Sequence, residues 1–310
     1  MTLNNIIFMQ KIVVTQDLGL NKDERERLNK LGEVKYYEDL PNSPEEWLER
    51  CKEADVICTG SFGLKTDKLY ELENKFFSVP IVGASFLNLE KMKEKNILVS
   101  RAPGCNKEAV SEWIVAMILN LFRKLPYYIN NLDLPVGITP KPDKGLMGKK
   151  ITILGKGNIG SRVGKICEAL EMDISYFKRN DNLLDSIKDA DVVVDALTLN
   201  EETTGLLNKE FFNSFKNGSY FITVTSPKIY DLEVMLESLD NNILAGVATD
   251  CGSIQVGKAD DPLYIRLAEH PKVLATPHIA YNTDVTDRQG NKIMIDNVEA
   301  YLKGTPINLV

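Results

Sequence analysis

Lys150-Ile151-Thr152-Ile153-Leu154-Gly155-Lys156-Gly157-Asn158-Ile159-Gly160 joins a short apolar run directly to three glycines in a G-x-G-x-x-G pattern. Val163, Ile166, Cys167 and Leu170 then recur at helical spacing, so the stretch reads as strand, tight turn, helix. Gly155 permits the turn, Gly157 lets a pyrophosphate approach the backbone, and Gly160 lets the helix pack closely on the strand. The start of the helix offers free N–H groups and a positive dipole end to phosphates. Gly155, Gly157, Asn158, Ile159 and Gly160 are therefore the expected dinucleotide contacts.

The chain around this turn alternates strands and helices. Before it, apolar runs at 11–15, 34–37, 56–58, 79–82 and 97–100 are separated by amphipathic stretches at 23–31, 44–53, 65–73 and 89–94. Such βαβα alternation implies an open parallel sheet covered by helices. Residues 107–125 form a long apolar helix, read as a buried interdomain or dimer helix, and 131–147 form a Pro/Gly-rich loop. A second βα series follows, with strands at 151–154, 173–177, 191–195, 219–224, 243–248 and 272–275, and a last helix at 284–301. The expected architecture is two doubly wound α/β domains, Rossmann-like or flavodoxin-like, with a cleft between them.

Composition excludes several classes of function. A formal charge of −7 over 310 residues argues against a general nucleic-acid or anionic-membrane surface. No apolar run reaches the roughly 20 residues that span a bilayer. The N-terminus lacks the basic and apolar regions of a signal peptide, although Met9 is a candidate alternative start. Five scattered cysteines (51, 58, 105, 167, 251) form no C-x-x-C pair, and there are only two histidines. These features point to a reducing compartment, the cytoplasm, with no metal site.

Further signatures appear in a fixed order. They are Ala102-Pro-Gly-Cys-Asn106 with Ala109-Val-Ser-Glu112, Ala190-Asp-Val-Val-Val194, Glu202-Thr-Thr-Gly-Leu-Leu-Asn208, Lys216-Asn-Gly-Ser-Tyr-Phe-Ile222, Leu244-Ala-Gly-Val-Ala-Thr-Asp250 and Thr276-Pro-His-Ile-Ala280. With the glycine turn, they make the chain resemble the D-isomer-specific 2-hydroxyacid dehydrogenases over essentially its whole length. The resemblance implies a discontinuous substrate domain (1–100 plus 283–310) and a dinucleotide-binding domain (101–282). It implies a homodimer that reduces a 2-oxo acid or related small carbonyl compound.

By the same resemblance His278 is the general acid/base, a task suited to a side chain that ordinarily titrates near neutrality. His270 is read as a surface residue. Asp250 is expected beside the nicotinamide, and Cys251 is a packing thiol. The family's glutamate, five residues after that aspartate, is Gln255 here, and its carboxylate-binding arginine, eight residues after Gly218, is Ser226. Gln255 can still orient the imidazole, but Ser226 has neither the charge nor the reach of a guanidinium. Lys228 and Arg101 are the substitute cations considered.

The loop Thr59-Gly60-Ser61-Phe62-Gly63 offers N–H groups to a substrate carboxylate, so Gly60, Ser61 and Ala84 are expected substrate contacts. Ser85 stands within the altered stretch Gly83–Asn88, and Phe62 and Phe86 are read as either pocket or core residues. Thr198, Asn200 and Thr203 stand near the cofactor. Eighteen residues beyond Gly160, where the family carries an acid for the ribose 2′-hydroxyl, stand Lys178 and Arg179. Cations there favour a 2′-phosphate, so NADP(H) is preferred, with NAD(H) possible. The alternative to an enzyme is a dinucleotide-binding sensor or interaction protein on the same fold.

Overall fold

The computed structural model describes residues 10–84, 86–131, 133–134, 137, 142–250 and 260–310. Met9, Ser85, Cys251 and Gln255 lie outside the described residues. The chain divides into two compact units, one running to Asn106 and resuming at Thr283–Val310, the other Lys107–Asn282. The border thus falls after Asn106 rather than at 100. The Ala102–Asn106 turn is tied to the first unit, where Ala102 N–H donates to the Ile81 carbonyl at 2.8 Å.

In the first unit, β1 (Lys11–Val14), β2 (Glu33–Tyr36), β3 (Val56–Cys58), β4 (Phe76–Ser78) and β5 (Leu98–Ser100) form a parallel sheet in the order β2-β1-β3-β4-β5. Successive side chains alternate faces. Val13, Ile57, Phe77 and Val99 pack with Trp47, Leu48 and Met92 on one side. Ile12, Val14, Val56 and Phe76 pack with Leu28, Met294, Ile295 and Val298 on the other. Both faces are covered, which is why these strands are apolar runs and not alternating ones. β4 lies at Phe76–Ser78, not at 79–82. Pro80 lacks the N–H that a ladder needs, so pairing ends before it.

The C-terminal helix Asp284–Leu302 belongs to this unit. Ser78 Oγ donates to the Met294 carbonyl at 2.8 Å, and Arg27 reaches Asp296 and Glu299 at 2.8 and 2.7 Å. Tyr301 stacks on Phe76 with centroids 4.0 Å apart.

The second unit carries β6 (Lys150–Leu154), β7 (Asp173–Phe177), β8 (Val192–Asp195), β9 (Ser219–Thr223), β10 (Leu244–Asp250) and β11 (Val273–Thr276). They are parallel in the order β11-β10-β9-β8-β6-β7. Both sheets therefore start with the second, first and third strands in sequence, the flavodoxin-like winding, with a sixth strand added in the second unit. Ile151, Ile153, Val192 and Ile222 face the helices Lys107–Phe122 and Asn158–Ala169. Val193, Phe221 and Val247 face an aromatic layer of Phe211, Phe212 and Phe215.

The apolar helix at 107–122 is thus a core helix of its own unit, buried through Val110, Ile114, Ile118 and Phe122. A further helix, Leu125–Asn130, follows where the reading above continued the first. No helix among the described residues is long and apolar enough to cross a membrane.

Candidate functional site at the carboxyl edge of the second sheet

Register brings one residue from each strand into a single row across this sheet: Phe177, Leu154, Asp195, Thr223, Thr249 and Ala275. Five inter-strand steps of about 4.8 Å make the row roughly 24 Å long. The candidate residues stand just beyond it: Lys178, Gly155, Thr198, Ser226, Asp250 and His278. The winding reverses between β6 and β8, and ligands of such sheets bind in the crevice at that point.

The glycine turn sits there. Gly155 has φ +97°, and a Cβ on it would lie 2.8 Å from the Ala196 carbonyl oxygen. A Cβ on Gly160 would lie 1.9 Å from the Gly155 carbonyl oxygen, so only glycine lets the helix start against the turn. Gly157 faces open space. Its position at the N-cap leaves the following N–H groups without a side-chain cap. An uncapped helix start beside an open backbone is a fit cradle for a pyrophosphate. Asn158 lines the surface groove at this end with Lys107, Lys156, Ser161, Arg162 and Lys165, while Ile159 packs into the core.

A groove of about 670 Å³ runs from Gly155 past Phe177, Lys178 and Arg179 to Leu197, Thr198, Asn200, Glu202 and Thr203. Lys178 follows the end of β7 directly, as expected. Its N–H donates to the Asp181 carboxylate at 2.9 Å, which shapes the turn. Arg179 pairs with Glu202, Nε to Oε2 at 3.1 Å, and that hydrogen bond raises the guanidinium's affinity for its proton. The turn at 198–204 is self-braced: Thr203 Oγ1 donates to the Thr198 carbonyl at 2.7 Å, and Thr203 N–H donates to Asn200 Oδ1 at 3.0 Å. Thr203 lines the groove but commits its hydroxyl proton to the turn.

At the other end of the row, His278 is exposed on a turn with φ +54°, its ring edge-on to Tyr281 at 5.5 Å. Asp250 holds that turn. Its carboxylate accepts from Thr276 Oγ1 at 2.6 Å and from the N–H groups of Ile279 and Ala280, each at 2.9 Å. Both Asp250 oxygens are engaged, and the residue is buried. His270, expected at the surface, is instead half-buried, with its Nε2 3.4 Å from Asp240 and its Nδ1 accepting from Lys272 N–H. Ser226 is half-buried, and its Oγ accepts from Lys228 N–H at 3.3 Å. The Lys228 side chain is exposed.

Two residues escaped the sequence reading. Asp195 is fully buried at the end of β8 and accepts three hydrogen bonds, and its run of valines disguised it. In the first unit, Gln16 lies against Gly60, whose Cβ would come within 2.8 Å of the carboxamide. Gln16 Oε1 is buried and has no hydrogen-bond partner among the described residues. Gly60 and Ser61 begin a one-turn helix beside a Thr15–Thr59 hydroxyl pair at 2.7 Å, and Ala84 is buried. Phe62 and Phe86 each remain 40 % exposed, so neither is a core residue. Arg101 donates to the Val82 carbonyl at 3.0 Å.

The NAD-binding domain of the D-isomer specific 2-hydroxyacid dehydrogenases matches residues 115–280, more than half of the chain. The chain belongs to this family. A D-lactate dehydrogenase of Streptococcus agalactiae serotype III is 28 % identical over 257 residues, covering 74 % of this chain and 78 % of that protein. The D-lactate dehydrogenase of Treponema pallidum superposes with a TM-score of 0.81 at 21 % identity, over 97 % of this chain and 99 % of that one. An acyclic imino acid reductase in complex with NADPH and D-Arg superposes at 0.78 with 22 % identity and the same coverage. The second unit is accordingly the family's nicotinamide-dinucleotide-binding domain.

Proposed function

We propose that this protein is an NADP(H)-dependent reductase of the 2-hydroxyacid dehydrogenase family whose substrate is held without an arginine clamp. The observation that carries this reading is the groove from the uncapped glycine turn to Lys178, whose neighbours offer a 2′-phosphate a cation where the family offers a carboxylate. Gly155, Gly157, Asn158, Ile159 and Gly160 would hold the pyrophosphate, and Lys178, Arg179 and Thr198 the adenosine ribose end, with Thr203 bracing the Thr198 turn. When bound, the reduced cofactor supplies a hydride to the substrate carbon.

His278 gives the proton to the substrate oxygen, and Asp250 keeps its turn in place. Gln255, at the position of the family's glutamate, is read as the residue that orients the imidazole. Gly60, Ser61 and Ala84, in the first unit, are read as substrate contacts, with exposed Phe62 and Phe86 favouring an apolar side chain. Ser226 leaves a 2-oxo acid without its bidentate partner, a charge-assisted contact worth roughly 1.5–3 kcal/mol. A small carbonyl compound that needs no such clamp is therefore the favoured substrate, with Lys228, two residues on in the chain, as a substitute cation. That loss also favours the second reading, a cofactor-binding protein with little turnover.

Oxidation of NADPH and NADH against a panel of 2-oxo acids and aldehydes separates the two. Turnover that falls at least about 100-fold in His278→Gln establishes the enzyme. Micromolar cofactor binding without turnover on any substrate defeats it. In Ser226→Arg/Gln255→Glu, 2-oxo-acid reduction should rise by at least about tenfold. Leu119, Leu125, Tyr127, Ile129 and Met147 expose apolar surface on the second unit, which supports a homodimer.

A further inference from the structure

Asp195 ends the strand that borders the reversal of winding. It is enclosed by Leu154 of β6 on one side and Thr223 of β9 on the other. Its Oδ1 accepts from Leu197 N–H at 3.1 Å. Its Oδ2 accepts from Thr223 Oγ1 at 3.0 Å and Thr225 Oγ1 at 2.5 Å. Leu197 lies in the segment after β8, Thr223 ends β9, and Thr225 lies in the segment after β9. Leu197 and Thr198 line the cofactor groove, and the preceding Ala196 carbonyl abuts Gly155 of the glycine turn. Thr225 immediately precedes Ser226, where the family carries its arginine.

We propose that Asp195 is a positioning residue whose ionised carboxylate ties the Leu197–Thr198 segment and the Thr225–Ser226 segment into one frame at the cofactor groove. A carboxylate is an acceptor only and takes all three donors at once, whereas a protonated acid must direct its own proton at one of them. Protonation turns the bond to one threonine hydroxyl round and removes the charge that strengthens all three, so the frame loosens.

The proposal predicts a pH response within reach of ordinary buffers. Burial pushes the carboxyl up to about 6, against the hydrogen bonds from Thr225, Leu197 and Thr223, which lower it. No charged side chain faces it among the described residues. On β6 and β9, Lys150 and Tyr220 lie toward the opposite ends of their strands. Lys156 stacks over the Tyr176 ring at 4.6 Å, and Lys228 is exposed.

The inference rests on the reading that this groove binds a nicotinamide dinucleotide, and the test keeps the two apart. Dissociation constants of NADPH and NADH are measured by fluorescence titration from pH 5 to pH 8 in wild type, Asp195→Asn and Thr225→Val. NADH carries no 2′-phosphate, whose own ionisation lies in this range. In wild type both constants should rise about fivefold or more on acidification. Asp195→Asn should remove that rise, and Thr225→Val, by taking away a donor to the anion, should move its midpoint to higher pH.

Melting of the ligand-free protein supplies a second readout. A carboxyl whose folded value is raised stabilises the fold below its ordinary value of 3.8, and that stability is lost as pH rises through about 6. Asp195→Asn should therefore melt higher than wild type above pH 6 and lose this pH dependence. If both cofactors bind at pH 8 but the wild-type constants are flat, or Asp195→Asn keeps the wild-type slope, or the Thr225→Val midpoint stays put, the positioning role is overturned. Absence of binding at pH 8 overturns the cofactor reading and the frame with it, whereas the melting profile still reports whether Asp195 titrates.

Discussion

The proposed cofactor preference turns on Lys178 and Arg179. A carboxylate at the end of the second strand would repel a 2′-phosphate, and a cation would attract it. Arg179 already shares its charge with Glu202, so Lys178 is proposed to carry the larger part of the discrimination. Lys178→Asp with Arg179→Ser should therefore shift the NADPH:NADH ratio of Michaelis or dissociation constants toward NADH by at least about tenfold, equivalent to roughly 1.4 kcal/mol. An unchanged ratio would sink the assignment. Thr203 shows the opposite: its residue type suits a ribose contact, but its proton is used within its own turn. Such local hydrogen bonding is the habit of Ser, Thr and Asn at loop positions.

The strand-turn-helix element at 150–169 was legible because its glycines answer to backbone sterics alone. Gly155 needs a positive φ and Gly160 needs the absence of a Cβ, and both demands are local. Gly160→Ala should lower unfolding stability by about 1–3 kcal/mol in urea titration, because the methyl meets the Gly155 carbonyl and the helix must retreat. The same variant should weaken dinucleotide binding. Wild-type stability with wild-type affinity in this variant would show that the close approach is not required. The expected β4 lies three residues late because the run from Phe76 to Val82 is apolar apart from Ser78, and only the missing N–H of Pro80 marks where the ladder stops. The packing partners of the helix at 107–122 are not legible for a related reason. Apolar residues nearly all round it signal burial but do not say against what.

Across the whole molecule, the sequence order hides the division into units. Thr283–Val310 lies far along the chain from the first sheet, yet Met294, Ile295 and Val298 complete that sheet's core beside Leu28. What neither core accounts for is the apolar surface on the second unit, with Ile129 at 68 % and Met147 at 74 % exposure. Large apolar side chains left this exposed are candidates for an association site. Light scattering at micromolar concentration should give the mass of two chains, and Tyr127→Glu/Ile129→Glu should give the mass of one without loss of the folded circular-dichroism spectrum. A wild-type mass of one chain would remove the homodimer.

The sequence by itself determined the two parallel α/β sheets, the glycine turn, the cations after β7 and the serine at position 226. Each of these depends on local sterics, on hydrophobic period or on residue type at a counted position. Only the tertiary structure decided that Asp195 is a buried acceptor joining two segments, that Asp250 braces the His278 turn, and that Gln16 abuts Gly60. A carboxylate's partners are set by which strands pair and in what register. That is a property of contacts between residues 26 to 30 positions apart in the cases of Asp195 and Asp250, which no local reading of the chain contains.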